Sequence, residues 1–267
     1  MDNRPIGVFD SGLGGLSVVK ELERILPNES IEYFGDTGRV PYGTRSKETI
    51  NLYAQQDEEF LLSKDVKMII AACGTVSSVA ADTANNLPVD FLGVVAPAAR
   101  AAARITKNGR IGVTGTSATI NSGAYEKMLK SINPEFEIIS VDCPLFVPIV
   151  EAGFIDENDE LTLLAAKRYL DKIVDFGVDT LILGCTHFPL ISGTIAKVMG
   201  EKVSLISAGK AAAEECAKLL LEKDMLSNNT NPLKRFYVTD RPQGFYKTAD
   251  LFFSGNFDGE VSQVAIG

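Results

Sequence analysis

The sequence predicts an α/β protein with two pseudo-symmetric, doubly wound parallel-sheet lobes and the active site between them. Short apolar, strand-like runs alternate with helical stretches, as in parallel sheets with crossover helices. Two internal similarities indicate a duplication: Met68–Thr75 resembles Thr180–His187, and Pro5–Gly12 resembles Arg110–Ser117. Each lobe is therefore expected to repeat one arrangement of strands and helices.

The strands are predicted where short apolar runs meet turn residues. They lie near Pro5–Phe9, Ile31–Gly35, Val66–Ala71, Asp90–Val94, Gly109–Gly115, Glu137–Val141, Thr180–Leu183 and Val203–Ile206. Helical patterns lie near Gly15–Ile25, Lys47–Ser63, Asn121–Ser131, Glu160–Phe176 and Ala208–Glu222. Ser46 or Lys47 is expected at the entry of the second helix, with acidic Glu48 in its first turn. Parallel sheets bind ligands at the carboxyl ends of their strands, so the functional residues are expected there.

The lobes divide the chain in three pieces. Residues 1–96 plus 208–267 are predicted to form the N-terminal lobe, which carries Cys73. Residues 97–207 are predicted to form the C-terminal lobe, which carries Cys185.

Composition excludes several classes of protein. The net charge of −9 and the pI near 4.8 argue against nucleic-acid binding, which needs a concentrated basic face. No apolar run approaches the roughly 20 residues of a membrane span, and Met1–Ile6 lacks the apolar region of a signal peptide. The sequence therefore predicts a cytoplasmic protein without membrane or nucleic-acid partners.

The cysteines and the single histidine limit metal and disulfide chemistry. Cys73, Cys143, Cys185 and Cys216 are far apart in the chain and form no Cys-x-x-Cys pair, so free thiols are expected. His187 is the only histidine, which excludes His-rich metal motifs. No metal site is predicted.

A glycine-rich turn, Asp10–Gly15, follows the first strand and enters a helix. Its spacing matches neither the dinucleotide-binding Gly-x-Gly-x-x-Gly pattern nor a P-loop. Free N–H groups at a helix start attract an anion, either a carboxylate or a phosphate. The alternative is a simple tight turn between strand and helix.

Two cysteines occupy matching positions in the internal repeat. Cys73 and Cys185 each end an apolar strand-like run and precede small polar residues. One thiol on each side of a site suits the movement of a proton between the two faces of one carbon, because a thiolate is an effective base. The alternative is a pair of buried core thiols.

Several motifs in about the first 210 residues form a specific combination. They are Asp10–Ser17, Gly35–Gly43, Ala72–Thr75, Gly115–Ser122, Cys143–Glu151 and Leu183–Leu190. In this order they resemble the glutamate racemases of the aspartate/glutamate racemase superfamily. The resemblance implies an enzyme that needs no cofactor, interconverts L- and D-glutamate and supplies D-glutamate for peptidoglycan. It also implies a homodimer.

The resemblance implies a role for each catalytic side chain. Cys73 and Cys185 would be the two acid/base residues, with Asp10 assisting Cys73, and with Glu151 and His187 assisting Cys185. Each of the three assisting residues also has a non-catalytic alternative. Asp10 could be a helix cap, Glu151 a solvated carboxylate beyond a strand, and His187 a structural histidine.

The implied substrate contacts supply hydroxyl and backbone donors for the substrate's carboxylates and ammonium group. They are Asp10, Ser11, Tyr42, Gly43, Gly74, Thr75, Thr116, Thr119, Thr186 and His187. For Tyr42, which follows a proline, the alternative is a rigid surface turn.

Two positions depart from the family pattern. Cys73-Gly74-Thr75 stands where the family usually has Cys-Asn-Thr, and the lost amide is expected to cost about 1 to 3 kcal/mol. Ser207–Lys210 stands where an acidic Asp-Ser-Gly-Ala-Glu-like run is expected. These departures keep two alternatives open: a racemase for another acidic amino acid such as aspartate, and a non-catalytic ligand-binding or regulatory protein on the same fold.

Overall fold

The computed structural model describes residues 1–240, 242–257 and 259–266. Three residues of the predicted N-terminal lobe, Arg241, Asp258 and Gly267, lie outside the described residues. None of the helices in the described part of the chain combines the length and the apolar character that crossing a bilayer demands.

Strands and helices alternate along the chain. The strands are β1 (Ile6–Asp10), β2 (Ile31–Gly35), β3 (Met68–Ala71), β4 (Asp90–Gly93), β5 (Arg110–Gly115), β6 (Glu137–Asp142), β7 (Thr180–Leu183), β8 (Ser204–Ser207), β9 (Lys234–Val238) and β10 (Glu260–Gln263). The longer helices are α1 (Leu16–Ile25), α2 (Lys47–Leu62), α4 (Val95–Ile105), α6 (Ala124–Ile132), α8 (Glu160–Phe176), α9 (Ser192–Met199), α10 (Ala208–Glu222) and α11 (Pro242–Phe253). The short helices are α3 (Gly74–Val79), α5 (Ser117–Asn121) and α7 (Phe146–Glu151). Single 3₁₀ turns lie at Tyr42–Thr44, Ala81–Asn86 and Phe188–Ile191.

The strands form two parallel sheets that confirm the predicted fold class. The first sheet has the order β10-β9-β2-β1-β3-β4, and the second has the order β6-β5-β7-β8. The order β2-β1-β3-β4 in the first sheet corresponds to β6-β5-β7-β8 in the second. β3 and β7 are therefore equivalent strands, and the cysteines that follow them occupy equivalent positions.

The central strands β1, β2 and β3 of the first sheet are buried on both faces because helices cover both. Along β3, Met68 and Ile70 pack into one apolar cluster, whereas Ile69 and Ala71 pack into another on the opposite face. This alternation follows from the two-residue period of a strand. It also explains why these strands read as continuous apolar runs.

A shared apolar core joins the two lobes. The cluster that contains Ile6 and Val8 of β1 also contains Ile111 and Val113 of β5. Helix α10 packs against α1 and α4, and α4 packs against α6. The Pro97-Ala-Ala-Arg100 segment, taken above as the start of the C-terminal lobe, lies inside α4.

The structure differs from the sequence expectations at several elements. Pro148–Val150, expected to end a strand, lies in helix α7, where Phe146 packs against Phe188 with ring centroids 5.1 Å apart. Strands β9 and β10 and helices α3, α4, α5, α9 and α11 were not predicted. Both strands carry charged or polar residues and extend the sheet from β2, so their pairing comes from tertiary contacts.

Candidate active site

A cavity of about 360 Å³ lies where the carboxyl ends of the two sheets face each other. Residues from both lobes line it. Every predicted site residue is among them: Asp10, Ser11, Tyr42, Gly43, Cys73, Gly74, Thr75, Thr116, Thr119, Glu151, Cys185, Thr186 and His187. Such pockets at the ends of parallel strands are the usual ligand sites of α/β proteins.

Cys73 lies directly after β3 and begins helix α3 as its N-cap residue. Its side chain is only 5% exposed, and its thiol donates to Ser11 Oγ at 3.4 Å. Burial and the nearby Asp10 carboxyl raise the pKa of the Cys73 thiol to about 12, although the Ser11 hydroxyl and the Val76 N–H oppose this shift. At neutral pH Cys73 is therefore a neutral thiol.

Asp10 ends β1 beside Cys73 and is 2% exposed. Its Oδ2 accepts a hydrogen bond from the Gly12 N–H at 3.0 Å. Burial raises the pKa of Asp10, while the neighbouring His187 charge lowers it. The carboxyl group thus holds the turn after β1. It lies near Cys73 and near His187, the partner of Cys185. Helix α1 has Gly15, not Asp10, as its N-cap residue.

Cys185 lies directly after β7 and has different partners. Its Sγ is 3.9 Å from His187 Nδ1, and His187 Nε2 is 3.1 Å from Glu151 Oε1 at the end of α7. Burial alone would lower the pKa of His187, but the hydrogen bonds to Cys185 and Glu151 raise it to about 10. At neutral pH His187 is therefore an imidazolium, and it lies next to the Cys185 sulfur.

A chain of hydroxyl groups connects the two lobes across the cavity. Thr75 Oγ1 lies 3.2 Å from Thr116 Oγ1, which in turn lies 3.0 Å from Thr119 Oγ1. Thr116 is also the N-cap residue of α5. Each hydroxyl can donate or accept, so the chain can reorient around a bound carboxylate.

The Tyr42 turn closes one side of the cavity. Tyr42 is 1% exposed, and its hydroxyl is hydrogen-bonded to Asp36 and Asp57, so it is not a surface turn. A Cβ atom on Gly43 would lie 3.5 Å from Thr116 Oγ1 of the other lobe. The turn therefore reaches across the cavity.

The glycines of the Asp10–Gly15 turn permit close approach between lobes. A Cβ atom on Gly14 would lie 2.1 Å from Thr186 Oγ1 and 2.6 Å from His187 Nδ1. A Cβ atom on Gly15 would lie 2.7 Å from that of Asp10. Any larger residue at either position would displace site residues. Close packing between the lobes therefore explains these glycines, and a bound phosphate is not needed to explain them.

The sequence reasoning missed the apolar part of the lining. It comprises Leu13, Val40, Pro41, Cys143, Pro144, Val147 and Pro148. The last four belong to the Cys143–Glu151 motif, which was noticed for Glu151 alone. Within the residues that the structure describes, no group of three or more His, Cys, Asp or Glu side chains is arranged to hold a metal ion.

Known proteins match this chain over nearly its whole length. The Asp/Glu/hydantoin racemase family model matches residues 6–216. A glutamate racemase from Geobacter metallireducens is 43% identical over 265 residues, which span 98% of this chain and 97% of that protein. A glutamate racemase from Neisseria meningitidis is 42% identical and covers 99% of this chain and 97% of its own length.

Solved structures agree. A glutamate racemase isoform from Bacillus anthracis has a TM-score of 0.95 at 37% identity and covers 99% of this chain and 98% of its own. The Francisella tularensis glutamate racemase, solved in complex with D-glutamate, has a TM-score of 0.91 at 41% identity with the same coverage. Aspartate racemase from Picrophilus torridus, at 18% identity and a TM-score of 0.59, with 81% of this chain and 94% of its own covered, shares the fold alone. The chain belongs to the Asp/Glu/hydantoin racemase family, and its near-full-length relatives place it among the glutamate racemases.

Proposed function

We propose that the chain interconverts L- and D-glutamate by proton transfer between two cysteines, without a cofactor. One observation supports the proposal most strongly. Cys73 and Cys185 follow equivalent strands of the two lobes and line one cavity between them. Removing the α-proton of an amino acid on one face and returning a proton to the other inverts the centre. D-glutamate made in this way would supply peptidoglycan synthesis.

The residues around each sulfur support complementary roles. Cys73 is a neutral thiol at neutral pH and can donate a proton. Cys185 lies beside the imidazolium of His187, which favours its acting as the base. After one turnover the roles are exchanged, and the opposite enantiomer is then the substrate. Asp10 assists the first sulfur, and Glu151 assists the second through His187.

The other lining residues support binding of a dicarboxylic amino acid. The hydroxyls of Ser11, Thr75, Thr116, Thr119 and Thr186, with the Tyr42–Thr44 turn, provide donors and acceptors on several sides of the cavity. They hold the substrate's carboxylates and ammonium group. Fixed donors near the α-carboxylate also stabilise the negative charge that develops as the α-proton leaves. The apolar lining around Val40 and Val147 keeps water out.

The experiment is proton NMR of the purified protein with L-glutamate in D₂O, without pyridoxal phosphate, and polarimetry of the same sample. We expect the α-proton signal to disappear while the optical rotation decays to zero. Exchange with L-aspartate in place of glutamate would indicate the other substrate. Binding of glutamate without loss of the α-proton would indicate a non-catalytic protein and contradict the proposal.

The composition also predicts a cytoplasmic protein, and the resemblance predicts a homodimer. Light scattering of the purified chain tests the dimer: a mass near 57 kDa supports it, because the chain is 28.7 kDa, whereas a monomer mass contradicts it. Fractionation of cells that express the chain tests the location.

A further inference from the structure

A buried polar cluster lies behind the Tyr42 turn and takes no part in the chemistry above. It joins the segment after β2 to helix α2 through Asp36, Arg39, Tyr42 and Asp57. Both carboxyl side chains are fully buried, and Arg39 is 22% exposed. Polar groups in such a place must have their hydrogen bonds and charges matched.

Asp36 receives most of the donors in this cluster. Its Oδ2 accepts from Arg39 Nε and from the Tyr42 hydroxyl, and its Oδ1 accepts from Thr239 Oγ1 at 2.8 Å. Three donors converge on this one carboxyl group, and one of them is the Arg39 guanidinium. Asp36 and Arg39 therefore form the ion pair of the cluster.

The number of protons then determines the state of Asp57. The Tyr42 hydroxyl contacts Asp36 Oδ2 and also lies 3.0 Å from Asp57 Oδ2. A phenol has one proton to donate. When that proton goes to the Asp36 carboxylate, the contact with Asp57 is a hydrogen bond only if Asp57 carries a proton of its own.

We propose that Asp57 is a protonated carboxylic acid that donates to the Tyr42 oxygen and thereby positions the Tyr42–Thr44 turn at the cavity. The chain of donors runs from Asp57 to Tyr42 to the Asp36 carboxylate, while Asp57 Oδ1 accepts from Arg39 Nη2 at 3.2 Å. Asp57 touches no substrate. It is a positioning residue, and this role rests on the racemisation proposed above.

Burial supports this assignment of the proton. Desolvation, followed by the charge of Asp36, raises the pKa of Asp57 well above its ordinary value of 3.8. The groups that face Asp57 are Asp36, Arg39 and Tyr42 from the segment after β2, and Glu58 from its own helix. Among them, the hydrogen bond with Tyr42 and the charge of Arg39 oppose the shift, and Asp36 already neutralises the Arg39 charge.

The turn that the cluster holds lies close to the substrate. Tyr53 packs against Tyr42 with ring centroids 5.2 Å apart, and the Arg39 guanidinium lies 4.0 Å from the Tyr53 ring centroid. The next residue, Gly43, faces Thr75 and Thr116 of the hydroxyl chain. A loosened Tyr42 therefore changes the geometry of substrate binding.

Three variants test the proposal by kinetics. Asp57→Asn replaces a neutral acid by a neutral amide, whose NH₂ can donate to Tyr42 and whose oxygen can accept from Arg39. We expect its kcat and KM to stay within about 2-fold of wild type, whereas Asp57→Ala raises KM about 10-fold through loss of the donor. Asp36→Asn should be more damaging than Asp57→Asn because it removes the negative charge that balances Arg39, whereas Asp57 is neutral in this proposal. Equal damage in the two Asn variants would overturn the proposal, as would an Asp57→Asn protein that does not fold.

Infrared difference spectroscopy tests the proton independently of turnover. At neutral pH the wild-type protein should show the carbonyl band of a protonated carboxylic acid that is absent from Asp57→Asn and Asp57→Ala. The exposed Asp175 provides the control, because Asp175→Asn should leave that band in place. Absence of the band in a wild-type protein that racemises glutamate overturns the inference alone. Presence of the band in a protein that does not racemise overturns the proposed function and leaves the protonated acid.

Discussion

Gly74 and Gly184 bring the two lobes into backbone contact next to the candidate catalytic cysteines. A Cβ atom on Gly74 would lie 2.4 Å from the carbonyl oxygen of Gly184, a distance that real Cβ atoms do not show. Gly74 precedes Thr75 at the start of α3, and Gly184 precedes Cys185 after β7. The absence of a side chain at residue 74 therefore lets the two cysteine-bearing segments approach each other.

Gly74→Ala should lower kcat/KM by roughly 10- to 100-fold, because misplacement of catalytic groups by about 1 Å has an effect of this size. Steady-state racemisation in both directions measures it. Gly193→Ala is the matched control in helix α9, since the nearest atoms to its Cβ, at 3.0 and 3.2 Å, belong to the exposed Glu157 side chain and none belongs to the backbone. Equal activities in the two variants would contradict the contact. Gly74→Asn introduces the residue of the usual family pattern. It should meet the same obstruction and also lower kcat/KM.

Loss of either candidate catalytic thiol should abolish racemisation. Cys73→Ala and Cys185→Ala each remove one of the two proton carriers, so optical rotation should stay constant in both. One-sided exchange of the α-proton can survive in D₂O where the remaining sulfur is the base. The control is Cys216→Ala, because Cys216 packs against Met68 in the core. Full turnover in either site variant would rule out the two-thiol mechanism.

His187 should titrate far above the usual range. Its pKa of about 10 compares with the ordinary value of 6.5. As the only histidine in the chain, it gives a single set of imidazole signals, which makes the NMR titration unambiguous. Glu151→Gln should lower this pKa by removing a negative charge, whereas Glu157→Gln on the exposed surface should not change it. Titration of wild-type His187 near 6.5 would contradict the pairing.

The same shift predicts how stability depends on pH. Since the pKa of His187 is raised in the folded state, its contribution to the free energy of unfolding is fully present below about 6.5. It is lost progressively as pH rises to about 10. Urea unfolding of wild type and His187→Asn across this window should show their difference shrinking with pH. A difference that grows with pH would mean that the folded state favours the neutral form of the His187 side chain.

A buried ion pair should dominate the stability of the region around the start of β3. Lys67 Nζ lies 2.6 Å from Glu29 Oε2, both side chains are almost fully buried, and Lys67 also donates to the carbonyls of Asp2 and Met225. Lys67→Met leaves a buried carboxylate without its partner and should cost about 3–5 kcal/mol in urea unfolding.

Two further variants define that effect. Glu29→Leu combined with Lys67→Met should recover most of the loss, since replacing both partners by apolar residues is often neutral. Lys218→Met removes an exposed i,i+4 pair with Glu222 and should change stability by less than about 0.5 kcal/mol. A Lys67→Met protein as stable as Lys218→Met would show that the buried pair contributes nothing.

The sequence indicated the cysteine pair because its signal is local. Each cysteine ends a buried strand, and the repeated sheet order brings these strand ends together. His187 could also be predicted from the sequence, because it lies two residues from Cys185. The fold class followed from the same alternation of apolar runs and helices.

Other features depend on contacts between distant residues, which no local pattern shows even where a family motif names one of the partners. Glu151 contacts His187 across 36 positions of sequence, and Gly74 meets Gly184 across the lobe boundary. Asp57 lies in a polar stretch of α2 that reads as a solvated face, yet its side chain is buried. Helix α4 is rich in alanine, which marks neither a core nor a surface, and its role between the lobes emerges only from packing.

The repeated sheet order places two unlike cysteine sites in one cavity, and thermodynamics limits what this difference can do. Mirror-image forms of one amino acid have equal free energies in water, so the equilibrium constant of their interconversion is one. The values of kcat/KM in the two directions must then be equal, whatever the protein does. Because Cys73 and Cys185 have unlike neighbours, kcat and KM can each differ between the enantiomers, but only in proportion. The unequal partners of two equivalent strands can therefore tune which enantiomer saturates the enzyme first, and never which one accumulates.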